Sequence, residues 1–177
     1  MAGAAPDPVI LVVCGVSGAG KTTVGRLLAE RLGVPFLDAD DHHPPENVER
    51  MRSGRPLSDA NRQPWLDRLA RLLEDHAGSG AVLACSALKR AYRDRLGVDQ
   101  RGIVTVFLEG DRATIAERLS GRRHAFMPAA LLDSQFAALE PPSGGIRVRV
   151  QDSPETICRT ILDELERRRA PDASRRR

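Results

Sequence analysis

Residues 9–22, VILVVCGVSGAGKT, restrict the fold of this chain more than any other stretch. The unbroken apolar run from Val9 to Cys14 is the pattern of a strand buried on both faces, as parallel sheets require. It leads into GVSGAGKT (15–22), a match to G-x-x-x-x-G-K-[ST]. Val24, Leu27, Leu28, Arg31 and Leu32 then recur at helical spacing, with Gly33 as the stop. Strand, glycine-rich loop and helix in that order make a phosphate cradle. Gly15, Gly18 and Gly20 let backbone N–H groups turn toward phosphate oxygens, and the helix N-terminus adds its positive dipole end. Lys21 reaches the β- and γ-phosphates, and the Thr22 hydroxyl suits Mg2+. The expected ligands are a nucleoside triphosphate and Mg2+. The nucleotide set is Gly15, Val16, Ser17, Gly18, Ala19, Gly20, Lys21, Thr22 and Thr23.

The alternation continues to the C-terminus. VPFLD (34–38), GAVLACS (80–86), GIVTVFLEG (102–110) and IRVRV (146–150) read as four more strands. Between them, Trp65, Leu66, Leu69, Leu72 and Leu73 form the apolar stripe of a helix ending near Gly78. Asp111 caps another helix, and Ser153 with Pro154 opens the last. Strands separated by helices predict an α/β fold, a doubly wound five-stranded parallel sheet. No linker divides the chain, so one domain is expected over 9–166, between a flexible N-terminus (1–8) and an Arg-rich tail (167–177).

That tail accounts for the basic balance. Its six arginines against Asp172 carry a net +5, so the overall +3 leaves the preceding 166 residues at −2. Aromatic residues make up 3% of the chain, too few for a base-stacking platform, and no nucleic-acid partner is expected. The longest apolar run is far too short to span a bilayer, so no membrane association is expected. MAGAAPDPV has neither the charged start nor the apolar stretch of a signal peptide. The expected compartment is the cytoplasm. Cys14, Cys85 and Cys158 have no metal-ligand spacing and read as buried reduced thiols.

In LDADDHHPPEN (37–47), Asp38 ends the second strand, beyond whose carboxyl end ligands gather in parallel sheets. Asp38 and Asp40, at i and i+2, share a strand face and can converge, one toward Mg2+ and the other to accept a proton from an attacking hydroxyl. Zinc ligation by His42 and His43 is disfavoured, because neighbouring histidines splay and no third ligand is suitably spaced. An N-K-x-D guanine signature is absent, which argues against a GTPase. RLSGRRHAFMP (118–128) has the features of a closing lid, with Gly121 as hinge. In it Arg118 faces the nucleotide, and Arg122, with Arg123, stabilises the transferring phosphoryl group.

Several segments together carry a family resemblance: DADDHHPPENVERM (38–51), SGRPLSDANRQPWL (53–66), ACSALKRAYRDRL (84–96), VFLEGD (106–111) and LLDSQFAALEPP (131–142). Over roughly residues 9–165 the chain resembles the gluconokinases of the shikimate-kinase-like P-loop group. The resemblance implies the nucleoside-monophosphate-kinase fold, ATP-dependent phosphorylation of D-gluconate at its 6-hydroxyl, and a homodimer. It matches Asp40 to the residue that orients or deprotonates the acceptor. A polyol carboxylate needs cations and hydrogen-bonding groups. Arg62, Lys89 and Arg93 are its expected carboxylate partners, and His43, Ser86 and Gln135 its hydroxyl contacts. Asn47 and Trp65 read as structural. The chain departs from the family's lid pattern R-K-G-H-F with Arg122-Arg123-His124-Ala125-Phe126, and has Ala60 and Asn61 where acidic residues are usual. The rival readings are a kinase for shikimate or another small hydroxy acid, and a nucleotide-dependent switch with a macromolecular partner.

Overall fold

The computed structural model describes residues 8–98, 102–121 and 129–169. Five strands, β1 (Ile10–Cys14), β2 (Phe36–Asp38), β3 (Ala81–Ala84), β4 (Ile103–Glu109) and β5 (Ile146–Arg149), form one sheet in the order β2-β3-β1-β4-β5. Every pairing is parallel. The helices are α1 (Lys21–Leu32), α2 (Pro45–Arg52), α3 (Asp59–Asp75), α4 (Arg90–Arg95), α5 (Arg112–Ser120), α6 (Ala129–Ala138) and α7 (Pro154–Arg169), with a 3-10 turn over Ala39–His42.

The central strand explains the two-sided core. Ile10 of β1 is in register with Ala81 on one side and Ile103 on the other, and all five β1 residues are buried. Alternate side chains leave opposite faces of a strand. Leu11 and Val13 therefore join Val24 and Leu28 of α1, Ile115 of α5 and Ile161 of α7 on one side. Ile10, Val12 and Cys14 pack with Trp65, Leu66, Leu69 and Leu73 of α3 on the other. Leu69 is fully buried. Leu69→Ala is expected to cost about 3 kcal/mol through lost burial and an unfilled cavity, read as a lower urea midpoint at unchanged m-value.

The helix ends follow local chemistry. Gly33 closes α1 at φ 66°, in the left-handed region. Ser58 and Asn61 form a reciprocal cap at the start of α3, with Asn61 N donating to Ser58 Oγ (3.2 Å) and Ser58 N to Asn61 Oδ1 (3.1 Å). Asp111 accepts from Thr114 N, and Ser153 Oγ from Thr156 N, as the sequence predicts. The last helix runs through Arg169, past the start of the tail at 167, because Glu164 pairs with both Arg167 (2.6 Å) and Arg168 (2.9 Å), and cations suit a helix C-terminus.

Candidate active site

The loop between β1 and α1 lies at the carboxyl end of the central strand. Two glycines set its shape. Gly15 has φ +143°, and a Cβ there would meet the Leu108 carbonyl oxygen of β4 at 2.8 Å, so only glycine lets the loop lie this close to the sheet. Gly20 has φ +98°, and a Cβ there would enter open space, the hollow a phosphate needs. Lys21 Nζ donates to Val16 O at 3.0 Å, across the loop. Burial holds its ammonium below the usual lysine value, and Asp40 is the leading opposing charge. Cys14 and Cys85 nearby are pushed up to about 12 by burial and remain thiols.

Thr22 Oγ1 donates to Asp38 Oδ2 at 3.3 Å. A hydroxyl and a carboxylate side by side at the phosphate loop are hard oxygen donors of the kind Mg2+ takes, so this pair fits the ion. Asp38 also accepts from Asp40 N at 3.2 Å, through Oδ1. Here the strand argument for Asp38 and Asp40 is corrected: the chain leaves the extended conformation at Ala39 and enters the 3-10 turn, with Asp38 as its N-cap. What links the two residues is the cap, through the Asp40 backbone N–H, and not a shared strand face. The Asp40 side chain is 88% exposed, open to an incoming molecule.

Behind it, His43 stacks on Trp65 with ring centroids 4.3 Å apart and planes at 11°. Trp65 Nε1 donates to Ala39 O at 2.7 Å, tying α3 to the turn. Asn47 is buried and donates to Asn61 O at 2.9 Å, with the His43 Nδ1 atom 3.4 Å away. Asn47 and Trp65 thus hold this loop, as expected. His43 Nε2 lies 3.9 Å from Asp40 Oδ1. Desolvation lowers the His43 pKa, Asp40 opposes that, and Arg62 reinforces it, so the ring is held toward neutrality.

The expected cations divide into two groups. Lys89 Nζ contacts both oxygens of Asp59 (2.9 and 2.8 Å), and Tyr92 OH donates to Asp59 Oδ1 at 2.5 Å. Arg62 lies over the Tyr92 ring, 5.6 Å from its centroid, and donates to Leu57 O. Ser86 is half-buried at the carboxyl end of β3, its carbonyl accepting from Gly15 N at 3.3 Å. Arg93 is buried and donates to the carbonyls of Ala87 (2.8 Å), Leu88 (3.1 Å) and Glu140 (2.7 Å). That geometry holds a turn in which Ala87 has φ +38°, an uncommon and costly conformation for a residue with a Cβ. Gln135 bonds to Ser17 of the phosphate loop. Arg118 of α5 donates to Val150 O beyond β5. Arg122 and the rest of 122–128 lie outside the described residues.

Asp59, Tyr92 and Glu140 escaped the sequence reading. Tyr92 is the chain's single tyrosine, and that rarity was the one available signal. A cavity of about 420 Å3 at the carboxyl ends of β4 and β5, lined by Glu109, Gly110, Asp111, Arg149 and Gln151, was also unforeseen. Among the described residues, no helix is long and apolar enough to cross a membrane.

Known proteins bear on this geometry. A family model described as "Shikimate kinase" matches residues 17–140. The chain is 47% identical to a gluconokinase of Gluconobacter oxydans (strain 621H), with 90% of this chain and 92% of that protein covered. It is 45% identical to a probable gluconokinase of Mus musculus, over 90% of this chain and 98% of that one. The crystal structure of a gluconokinase from Sinorhizobium meliloti 1021 superposes with a TM-score of 0.83 at 42% identity, covering 90% of this chain and 93% of the other.

Proposed function

The chain belongs to the gluconokinases, within the shikimate kinase family matched over residues 17–140, and on that premise we propose that it phosphorylates D-gluconate at the 6-hydroxyl, with Mg·ATP as donor. The products are 6-phospho-D-gluconate and ADP. The observation that carries this reading is the meeting of Lys21, the Thr22–Asp38 pair and the open carboxylate of Asp40 at one end of the sheet.

The loop amides and Lys21 hold the phosphates, so that the γ-phosphorus faces the acceptor. Thr22 and Asp38 would hold Mg2+, which would supply positive charge against the phosphates. The acceptor oxygen bonds to the γ-phosphorus in line as the bond to the β–γ bridging oxygen breaks, and its proton passes to Asp40. Catalysis is mainly positioning and electrostatics. Arg122 is assigned the task of countering charge on the transferring group.

For the sugar acid, Arg62 is the carboxylate anchor, because among the described residues its guanidinium donates to a single carbonyl, while the Lys89 ammonium faces Asp59. Lys89 keeps a supporting share, and His43 and Ser86 line the hydroxyl side. Arg62→Ala is expected to raise KM for gluconate roughly 10–100-fold, the loss of a charge-assisted pair, with a much smaller change in kcat. An unchanged KM in steady-state kinetics removes Arg62 from the pocket. We further assign the working enzyme to a homodimer in the cytoplasm, built on one domain over 9–166 with a lid at 118–128 and the tail from 167.

The test is an ADP-release assay with Mg·ATP and D-gluconate, shikimate, glucose or no acceptor. Turnover that depends on gluconate is expected. Turnover with shikimate instead would transfer the chain to the related hydroxy-acid kinases, and nucleotide hydrolysis indifferent to all acceptors would favour the switch.

A further inference from the structure

Helix α6 touches both halves of the site. In its last turn, Ser17 N donates to Gln135 Oε1 at 2.7 Å, and Gln135 Nε2 donates to Ser17 Oγ at 3.0 Å. The pair is reciprocal, which orients the amide, because the backbone N–H must face an acceptor. Ser17 lies inside the phosphate loop, so Gln135 Oε1 occupies a loop N–H that an anionic oxygen would seek. Five residues on, just past the C-terminus of α6, Glu140 is bonded three times to the β3–α4 turn and α4. Glu140 N donates to Leu88 O (2.9 Å), Glu140 Oε2 accepts from Arg90 N (2.6 Å), and Glu140 O accepts from Arg93 (2.7 Å). Lys89 and Tyr92 of the expected acceptor side sit in that same segment.

Between Gln135 and Glu140, Phe136 packs against the core on one face of the sheet and Leu139 against the cores of both faces. N-terminal to Gln135, Leu132 is buried in the first of those cores. Asp133 pairs with Arg112 of α5 at 2.5 Å. A displacement at Gln135 therefore has little room to dissipate before it reaches Glu140.

We propose that α6 and Glu140 form a strut that couples nucleotide occupancy of the phosphate loop to the geometry of residues 88–93, with Gln135 and Glu140 as its positioning residues. A phosphate oxygen is a stronger acceptor than a neutral amide, so an arriving nucleotide takes the Ser17 N–H from Gln135. The Gln135 amide then turns its Nε2 donors to the phosphate. A charge-assisted bond replaces a neutral one, the strut is held more firmly, and Glu140 passes that order to Leu88, Arg90 and Arg93. By linkage, the acceptor strengthens nucleotide binding by the same factor. The strut rests on the proposed acceptor side only in naming what residues 88–93 serve.

The experiment uses the full chain and the β,γ-imido analogue of ATP with Mg2+. In the wild type the analogue slows hydrogen exchange at the amides of 88–93, and it tightens gluconate binding about tenfold in calorimetry. In Gln135→Ala, at saturating analogue, the slowing at 88–93 is lost and the coupling falls to about twofold or less. Glu140→Ala has the same effect on coupling with nucleotide affinity unchanged. If Gln135→Ala does not fold, Gln135→Asn withdraws the amide from Ser17 by one methylene and is expected to behave alike. An exchange response at 88–93 that persists in the Gln135 variant overturns the strut. A response that depends on Gln135, in a protein that does not bind gluconate, supports the strut and overturns the gluconate reading instead.

Discussion

Asp40→Asn is expected to lower kcat with gluconate by at least ~100-fold, the usual contribution of a positioned general base. The substitution is nearly isosteric, and the bond that shapes the turn uses the backbone N of residue 40, not its side chain. The fold around it has no reason to change. What is lost is an acceptor for the hydroxyl proton, together with the leading negative charge that supports the Lys21 ammonium against desolvation. These two effects separate in measurement. A lost base lowers kcat with little change in nucleotide affinity, whereas a lost counter-charge shifts the binding of the ATP analogue. Near-normal kcat in steady-state ADP release would end the assignment of Asp40 to proton transfer.

Lys21→Ala is the second large effect, roughly 100–1000-fold in kcat, the scale for removing one preorganised donor from a developing charge. Lys21 crosses its own loop to Val16 O, so the ammonium is already inside the cradle and needs little rearrangement to meet phosphate. Burial disfavours its charge in the free protein, and bound phosphates supply the missing counter-charge. Lys21→Arg is not a rescue, because a planar fork cannot replace a compact point charge in a cradle of this size. Calorimetry with the ATP analogue should show weakened binding in the alanine variant. Unaltered affinity and turnover would remove Lys21 from the phosphate site.

The Asp38–Asp40 segment shows where local reasoning succeeds for an incomplete reason. The sequence places Asp38 at the end of the second strand and Asp40 just beyond it, and both are there. The strand periodicity offered as the cause fails at Ala39, where the Asp38 cap turns the chain into a 3-10 helix. Asn61 is a similar case. It stands where family members are usually acidic, and its role is the reciprocal cap with Ser58 and a carbonyl that receives Asn47.

Arg93 and Gln135 show the opposite. Each has the donor chemistry of a substrate contact, yet Arg93 holds the strained turn at Ala87 and Gln135 holds Ser17, 118 residues away in sequence. Donor type can be read from a letter, but a partner requires knowledge of what the fold brings within 3 Å.

The sequence by itself determined the alternation of strands and helices, the buried central strand, the phosphate loop and most caps, because these depend on residues within about one or two turns of each other. Only the tertiary structure decided the strand order β2-β3-β1-β4-β5, the seat of Asp59 between Lys89 and Tyr92, and the reach of α6 from Ser17 to Arg90. Those contacts join segments 30 or more residues apart. They form only when the parallel crossovers stack their strands and set the loops at one edge of the sheet, which no local pattern encodes.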